Sequence, residues 1–181
     1  MTTYFSPPAT TSSVRAGSAP ASRWIGVGGT ALVLAYAVFA ALQIQVLNPL
    51  AAVPGSSLRE ISAAVGNTAD TMGWGLMIVV LALGPLIALA ITVIGWRGRI
   101  PAAFMLAAML GLLMLGTPVY FVASFPAGMT LADTFGIAGA DHSPWAWVLH
   151  LISLLALIAL IAMALSAVIR ATVRSIAPRR A

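Results

Sequence analysis

The sequence predicts an all-α polytopic membrane protein, a bundle of four transmembrane helices with both termini cytoplasmic. Three observations carry this expectation. Hydrophobic residues make up 61% of the 181-residue chain and charged residues only 7%, where a soluble domain carries roughly a quarter. The apolar residues gather in four runs that contain no Asp, Glu, Lys or Arg. Arginines flank those runs on one side.

Residues 1–23 ("MTTYFSPPATTSSVRAGSAPASR") are rich in Ser, Thr, Ala and Pro and show neither helical nor strand periodicity. Such a segment buries too little apolar surface to offset its ordering entropy, so a disordered cytoplasmic tail is expected. The apolar domain, 24–170, follows. Its runs are 24–47, 72–96, 101–122 and 145–169. Each meets the ~20 residues needed to cross a hydrocarbon core about 30 Å thick. Backbone groups in lipid must pair within their own segment, so each run is expected to be helical. The first is too long for a signal-peptide core of about 7–15 residues and reads as a retained helix. Residues 171–181 form a short basic tail.

Charge sets the expected threading. All nine basic residues are Arg. With four crossings, Arg15, Arg23, Arg97, Arg99, Arg170, Arg174, Arg179 and Arg180 share one side. Arg59 and all four acids, Glu60, Asp70, Asp133 and Asp141, lie on the other. The positive-inside rule places the arginine-rich side in the cytoplasm and the loops 48–71 and 123–144 outside. The expected location is the plasma membrane. Exclusive use of Arg over Lys, with abundant Ala, fits a GC-rich bacterial genome. The basic residues form no polar patch of the kind that binds nucleic acid. The expected partners are the lipid bilayer and other membrane proteins or further copies of this chain.

In the first outer loop, Ser57 precedes Glu60 at capping-box spacing, and Leu58, Ile61 and Val65 share one helical face. A short amphipathic helix lying on the outer membrane surface is expected there. The second loop, with three Gly and two Pro, is moderately apolar and is expected to pack over the bundle mouth. Within the spans, Gly84/Ala88/Thr92, Ala103/Ala107/Gly111 and Ala37/Ala41 recur every four residues. Such small residues allow close helix contact. Pro85 and Pro118 each remove a backbone donor and are expected to kink their helices, Pro118 at the Met114 carbonyl. The five Trp lie near run ends, as in an interfacial belt.

The candidate site centres on His150. Ser143 and Pro144 suit the N-cap and first position of the fourth helix. His150 then lies about 8 Å inside, at ~1.5 Å per residue. A neutral imidazole at that depth needs a donor and an acceptor partner. Gln43, Gln45, Tyr120, Ser153, Asp141 and His142 complete an expected polar pocket that opens outward. Ser153 reads best as bonded to its own helix backbone.

Other chemistries lack their residues. The chain has no Cys, which removes thiolate catalysis and zinc–thiolate sites. A single intramembrane His does not supply the two axial ligands of an inter-helix haem. "GVGG" lacks the lysine and spacing of a phosphate loop. Neither a cofactor, a metal nor a catalytic residue is expected. The expected role is therefore a non-enzymatic structural or accessory subunit. The alternative is a ligand-binding or transport protein built around the His150 pocket.

Overall fold

The computed structural model describes residues 18–66, 73–97 and 100–176. Residues 1–17 of the expected tail, Asp70, Arg99 and the closing arginines Arg179 and Arg180 lie outside the described residues. All regular structure among the described residues is helical: α1 (Ser18–Leu42), a π-turn (Gln43–Leu47), α2 (Asn48–Ala52), α3 (Leu58–Val65), α4 (Trp74–Trp96), α5 (Ala102–Met114), α6 (Gly116–Phe135) and α7 (Ala146–Ile176). Among the described residues, four helical stretches are long and apolar enough to cross a membrane: Ala21–Ala52, Trp74–Trp96, Ala102–Phe135 and Ala146–Ile176.

Helix α1 is central and packs on both α4 and α5, while α7 packs on α5. One polar bond set ties one end of this group. Ser22 Oγ donates to the Ile100 carbonyl (3.0 Å) and Arg23 donates to the Trp96 carbonyl (3.3 Å). The start of α1, the end of α4 and the start of α5 therefore share one end. Leu160 and Met163 of α7 lie against Ala103 and Ala107 of α5, which brings the end of α7 to the same side.

Small residues set the close approaches. On α4, Ala88 and Thr92 are buried against α1, and Thr92 Oγ1 donates to the Gly26 carbonyl at 3.1 Å. The seam expected on α1 at Ala37 and Ala41 is only half-buried; the tight positions are Gly26, Gly29 and Ala40. A Cβ at Gly29 would run into Met109 of α5. Gly111 on α5 faces open space.

Several boundaries differ from the sequence reading. Helix α1 already begins at Ser18 and α7 runs to Ile176, so 18–23 and 171–176 belong to helices. The largest correction concerns 123–144. Helix α6 continues to Phe135 and leaves only a short connection to α7. Pro126 is accommodated inside it. Ala123, Ala127 and Leu131 carry a buried stripe at helical spacing straight through the supposed loop. Gly136, at φ 66°, ends the helix in the left-handed conformation that glycine adopts without strain.

Pro85 sits inside an unbroken α4, whereas Pro118 breaks its helix. Helix α5 stops at Met114, Leu115 turns, and α6 restarts at Gly116. Helix α3 forms with the full capping box: Ser57 Oγ accepts from the Glu60 amide (3.3 Å) and Glu60 Oε2 accepts from the Ser57 amide (2.7 Å). These bonds hold the exposed Glu60 carboxyl below its ordinary pKa of 4.5. Its apolar face does not lie free on the membrane surface. It turns onto the protein, with Ile61 buried and α3 in contact with α2 and α6.

Gly116 offers a direct test of this packing. A Cβ there would lie 2.5 Å from Tyr36 Cζ and 2.7 Å from its hydroxyl, and Tyr36 is itself buried and hydrogen-bonded. Gly116→Ala is expected to destabilise the protein by about 1–3 kcal/mol, as overpacking does. Gly28→Ala, which meets nothing within 4 Å, is expected to be neutral. Thermal unfolding of both variants in detergent checks the contrast.

Candidate functional site

Two breaks in the helices build the site. The first follows from Pro49. Proline has no N–H for the Gln45 carbonyl, and its ring crowds that carbonyl. The backbone widens into a π-turn, in which the Asn48 N–H reaches the Gln43 carbonyl. Such turns are frequent at functional positions. Gln43, Ile44 and Asn48 are all buried.

The second break follows from Pro118. Thr117 N–H donates to Ser153 Oγ of α7 at 3.1 Å. Tyr36 Oη of α1 lies 3.3 Å from the same oxygen. Ser153 thus joins α1, α6 and α7, and does not bond its own backbone as the sequence suggested. One turn earlier on α7, His150 Nδ1 lies 3.2 Å from Thr117 Oγ1. The imidazole sits between two aromatic edges, Tyr120 (centroids 5.8 Å, 77° between planes) and Trp147 (6.2 Å, 85°).

Above this knot, the short connection after α6 folds inward. Asn48 Oδ1 accepts from the backbone amides of His142 (2.7 Å) and Ser143 (3.3 Å). Ser143 Oγ donates to Gln43 Oε1 (3.1 Å) and accepts from the Trp145 amide (3.3 Å), so it caps the entry to α7. Tyr120, almost wholly buried, donates its hydroxyl to Asp141 Oδ1 at 2.6 Å. The Gln43 amide lies beside Tyr120, and its Nε2 is buried without closing a hydrogen bond.

The seven residues singled out by sequence are thus distributed unequally. His150, Tyr120, Ser153, Gln43, Asp141 and His142 come together in one half of the bundle. Gln45 shares the π-turn with Gln43 but turns away from the cluster: its Nε2 points to Met77 Sδ at 3.2 Å. His150 takes its polar partner from Thr117, which sequence reasoning missed along with Tyr36 and Asn48. A signal for Thr117 existed, because a helix broken before Pro118 leaves backbone groups that need side-chain partners.

Asp141, His142, Ser143, Trp147 and His150 line a groove of about 460 Å³ that opens at this end. His142 Nε2 donates to the Ala138 carbonyl (2.9 Å), which leaves Nδ1 as the acceptor in the neutral ring. Among the described residues, His, Asp and Glu form no group of three placed to hold a metal ion. The groove offers one carboxylate, two imidazoles and an indole wall. Two imidazoles and a carboxylate form a metal site where they converge. Here the Asp141 carboxylate accepts from Tyr120 and His142 Nε2 is engaged by the Ala138 carbonyl, so the groove as folded presents hydrogen-bonding groups to a small polar molecule. No protein-family model matches this chain, and no curated protein or solved structure matches it either.

The bond to Thr117 assigns His150 a structural role that substitution separates from ligand binding. His150→Ala is expected to lower stability by about 0.5–1.5 kcal/mol, the usual net worth of a hydrogen bond. His150→Gln, which keeps an acceptor near Thr117, is expected to recover part of it. Thermal unfolding in detergent reads both variants. Equal stability of His150→Ala and the wild type would remove the structural role.

Proposed function

We propose that this chain is a non-enzymatic structural or accessory subunit of a bacterial plasma membrane. It packs through α7 against another membrane component or a second copy of itself. The arginine-bearing end faces the cytoplasm, on the strength of the positive-inside rule, and the bacterial source rests on the Arg-only, Ala-rich composition.

The observation that carries this reading is the uncovered side of α7. In an apolar 18-residue stretch of this span only 11% of the residues are buried in the bundle, against 22% in the corresponding stretch of each of the others. Beyond Met163 every described residue of α7 is exposed. Leu151, Leu155, Ile158, Leu165, Ile169 and Ile176 are exposed at three- and four-residue spacing, with Ala162 and Thr172 in the intervening positions. This line lies opposite the one that meets the bundle through Leu149, Ser153 and Ala156. Lipid covers apolar side chains within the hydrocarbon. At ~1.5 Å per residue, however, α7 is about 46 Å long, and it outruns a core of about 30 Å. The apolar line continues to its end, while Arg170 and Arg174 lie on another side of the helix. A protein partner accounts for that continuation better than lipid tails do.

The second reading, a ligand-binding or transport protein, is favoured by the groove beside His150 and by the unpaired Gln43 Nε2. It ranks below the first because the polar side chains at the groove floor already tie helices and loop together.

The absence of Cys makes cross-linking decisive. Single cysteines at Leu155, Ile158, Leu165 and Ile169, each labelled with a maleimide-linked benzophenone, are expected to give an adduct of one defined mass on illumination in native membranes. Cysteines at Leu160 and Met163, which face α5, are expected to give none. Uniform adducts at all six positions, or none at any, would contradict the reading. A purified monomer that retains a small molecule in the His150 groove would reverse the ranking.

A further inference from the structure

A separate groove lies at the opposite end of the bundle, between the start of α1 and the end of α4. Arg23, Trp24, Val27 and Trp96 line it, and its volume is about 560 Å³, within the range of ligand-binding clefts. Both indoles are uncovered, Trp24 by 76% and Trp96 by 52%, although tryptophan is usually well buried in proteins. The guanidinium of Arg23 is held in place by its bond to the Trp96 carbonyl at 3.3 Å. A guanidinium has five N–H donors, so most of its donors remain for another acceptor. The carbonyl it caps belongs to the C-terminal end of α4, where a cation is favoured.

Charge decides what fits. Among the described residues, Arg23, Arg97, Arg170 and Arg174 belong to this end, and Glu60, Asp133 and Asp141 belong to the other. Arg97 directly follows Trp96 in the chain and adds to the positive charge of this end. An anion placed here meets attraction, with no competing carboxylate side chain at this end among the described residues. Below the charged rim the groove turns apolar, with Val27 exposed on α1 and the tryptophan rings on either side. A free inorganic anion has no use for that apolar part. A molecule with a phosphate head and an acyl tail uses both: Arg recognises phosphate oxygens in paired geometry, indoles settle at head-group depth, and basic pockets between spans bind anionic head groups.

The geometry points to a binding site for an anionic phospholipid, its phosphate on Arg23 between Trp24 and Trp96 and its acyl chain along Val27. The site is independent of the α7 interface and of the His150 groove. Bound lipid at this position bridges α1 to α4 at the end where Arg23 already joins them.

Native mass spectrometry of the full chain, released from bilayers of equal phosphatidylglycerol and phosphatidylcholine, tests the assignment. The wild type is expected to retain phosphatidylglycerol selectively. Arg23→Gln is expected to reduce that selectivity about fivefold, as the loss of one arginine contact near a membrane surface does. Arg174→Gln, on the same end but outside the groove, is expected to keep it. Val27→Trp fills the apolar part without changing charge and is expected to lose retention too, in a protein whose thermal unfolding is unaltered. Equal loss in the Arg23 and Arg174 variants would show diffuse attraction and overturn the site. Full retention by Val27→Trp, or displacement of the lipid by millimolar inorganic phosphate, would overturn it as well, since the groove would then recognise an anion alone.

Discussion

The hydrogen bond from the Thr117 amide to Ser153 Oγ is the contact on which the rest of this bundle depends. It answers a demand imposed by the membrane. A helix in hydrocarbon satisfies its own backbone, and a break within it exposes groups that lipid cannot bond. Leu115 lies about 20 Å along the third span at ~1.5 Å per residue, inside a core of about 30 Å. The break at Pro118 is therefore tolerated only where another helix supplies a partner. Ser153 does so, and Tyr36 meets the same oxygen. Three helices are fixed at one point by a requirement of the backbone.

The π-turn at Gln43–Leu47 repeats this logic one level higher. Pro49 upsets the first span as Pro118 upsets the third, and the wider turn brings Gln43 and Asn48 inward. Asn48 then holds the connection between α6 and α7 by two backbone amides. That connection carries Asp141 to the Tyr120 hydroxyl. Two prolines thus account for most of the polar structure in this half of the molecule. Each converts a regular helix into a place where side chains must complete the backbone. Bonds of this kind are modest singly, about 0.6 kcal/mol on average between membrane helices. Their number and their shared atoms make the arrangement specific.

Much of this was legible in the sequence, for identifiable reasons. Four apolar runs free of charge leave no soluble solution, so the class of fold follows from composition. The capping box at Ser57 and Glu60 uses only local spacing, and it forms. The seam of Ala88 and Thr92 follows from helical periodicity. What was not legible required knowledge across helices. The segment 123–135 looked like a loop because it holds glycine and proline, yet Ala123, Ala127 and Leu131 repeat at a helical period that outweighs them. Six of the seven candidate polar residues converge because they sit at similar depth, which sequence does give. Their pairing was not accessible: His150 bonds Thr117, and Gln45 turns to Met77, because rotations of whole helices decide these contacts. The expectation that Ser153 would bond its own backbone failed for the same reason. Its partner is a vacancy created by a proline on another helix.

The two ends of the bundle consequently differ in chemistry. One is knit by neutral hydrogen bonds and carries a carboxylate and two imidazoles at its mouth. The other is fastened by Ser22 and Arg23 and carries most of the positive charge. Between them, Met109 and Leu113 are buried apolar side chains, with Met109 set against Gly29 beside the Thr92–Gly26 hydrogen bond. The central claim is that Ser153 completes the broken backbone of the third span. Amide hydrogen exchange at Thr117, followed by NMR in nanodiscs, tests it most directly. The account predicts slow exchange at Thr117 in the wild type and exchange about threefold faster in Ser153→Ala, the factor that ~0.6 kcal/mol of lost bonding produces, with the amide of Met109 unchanged. Exchange at Thr117 that is indifferent to Ser153→Ala would contradict it.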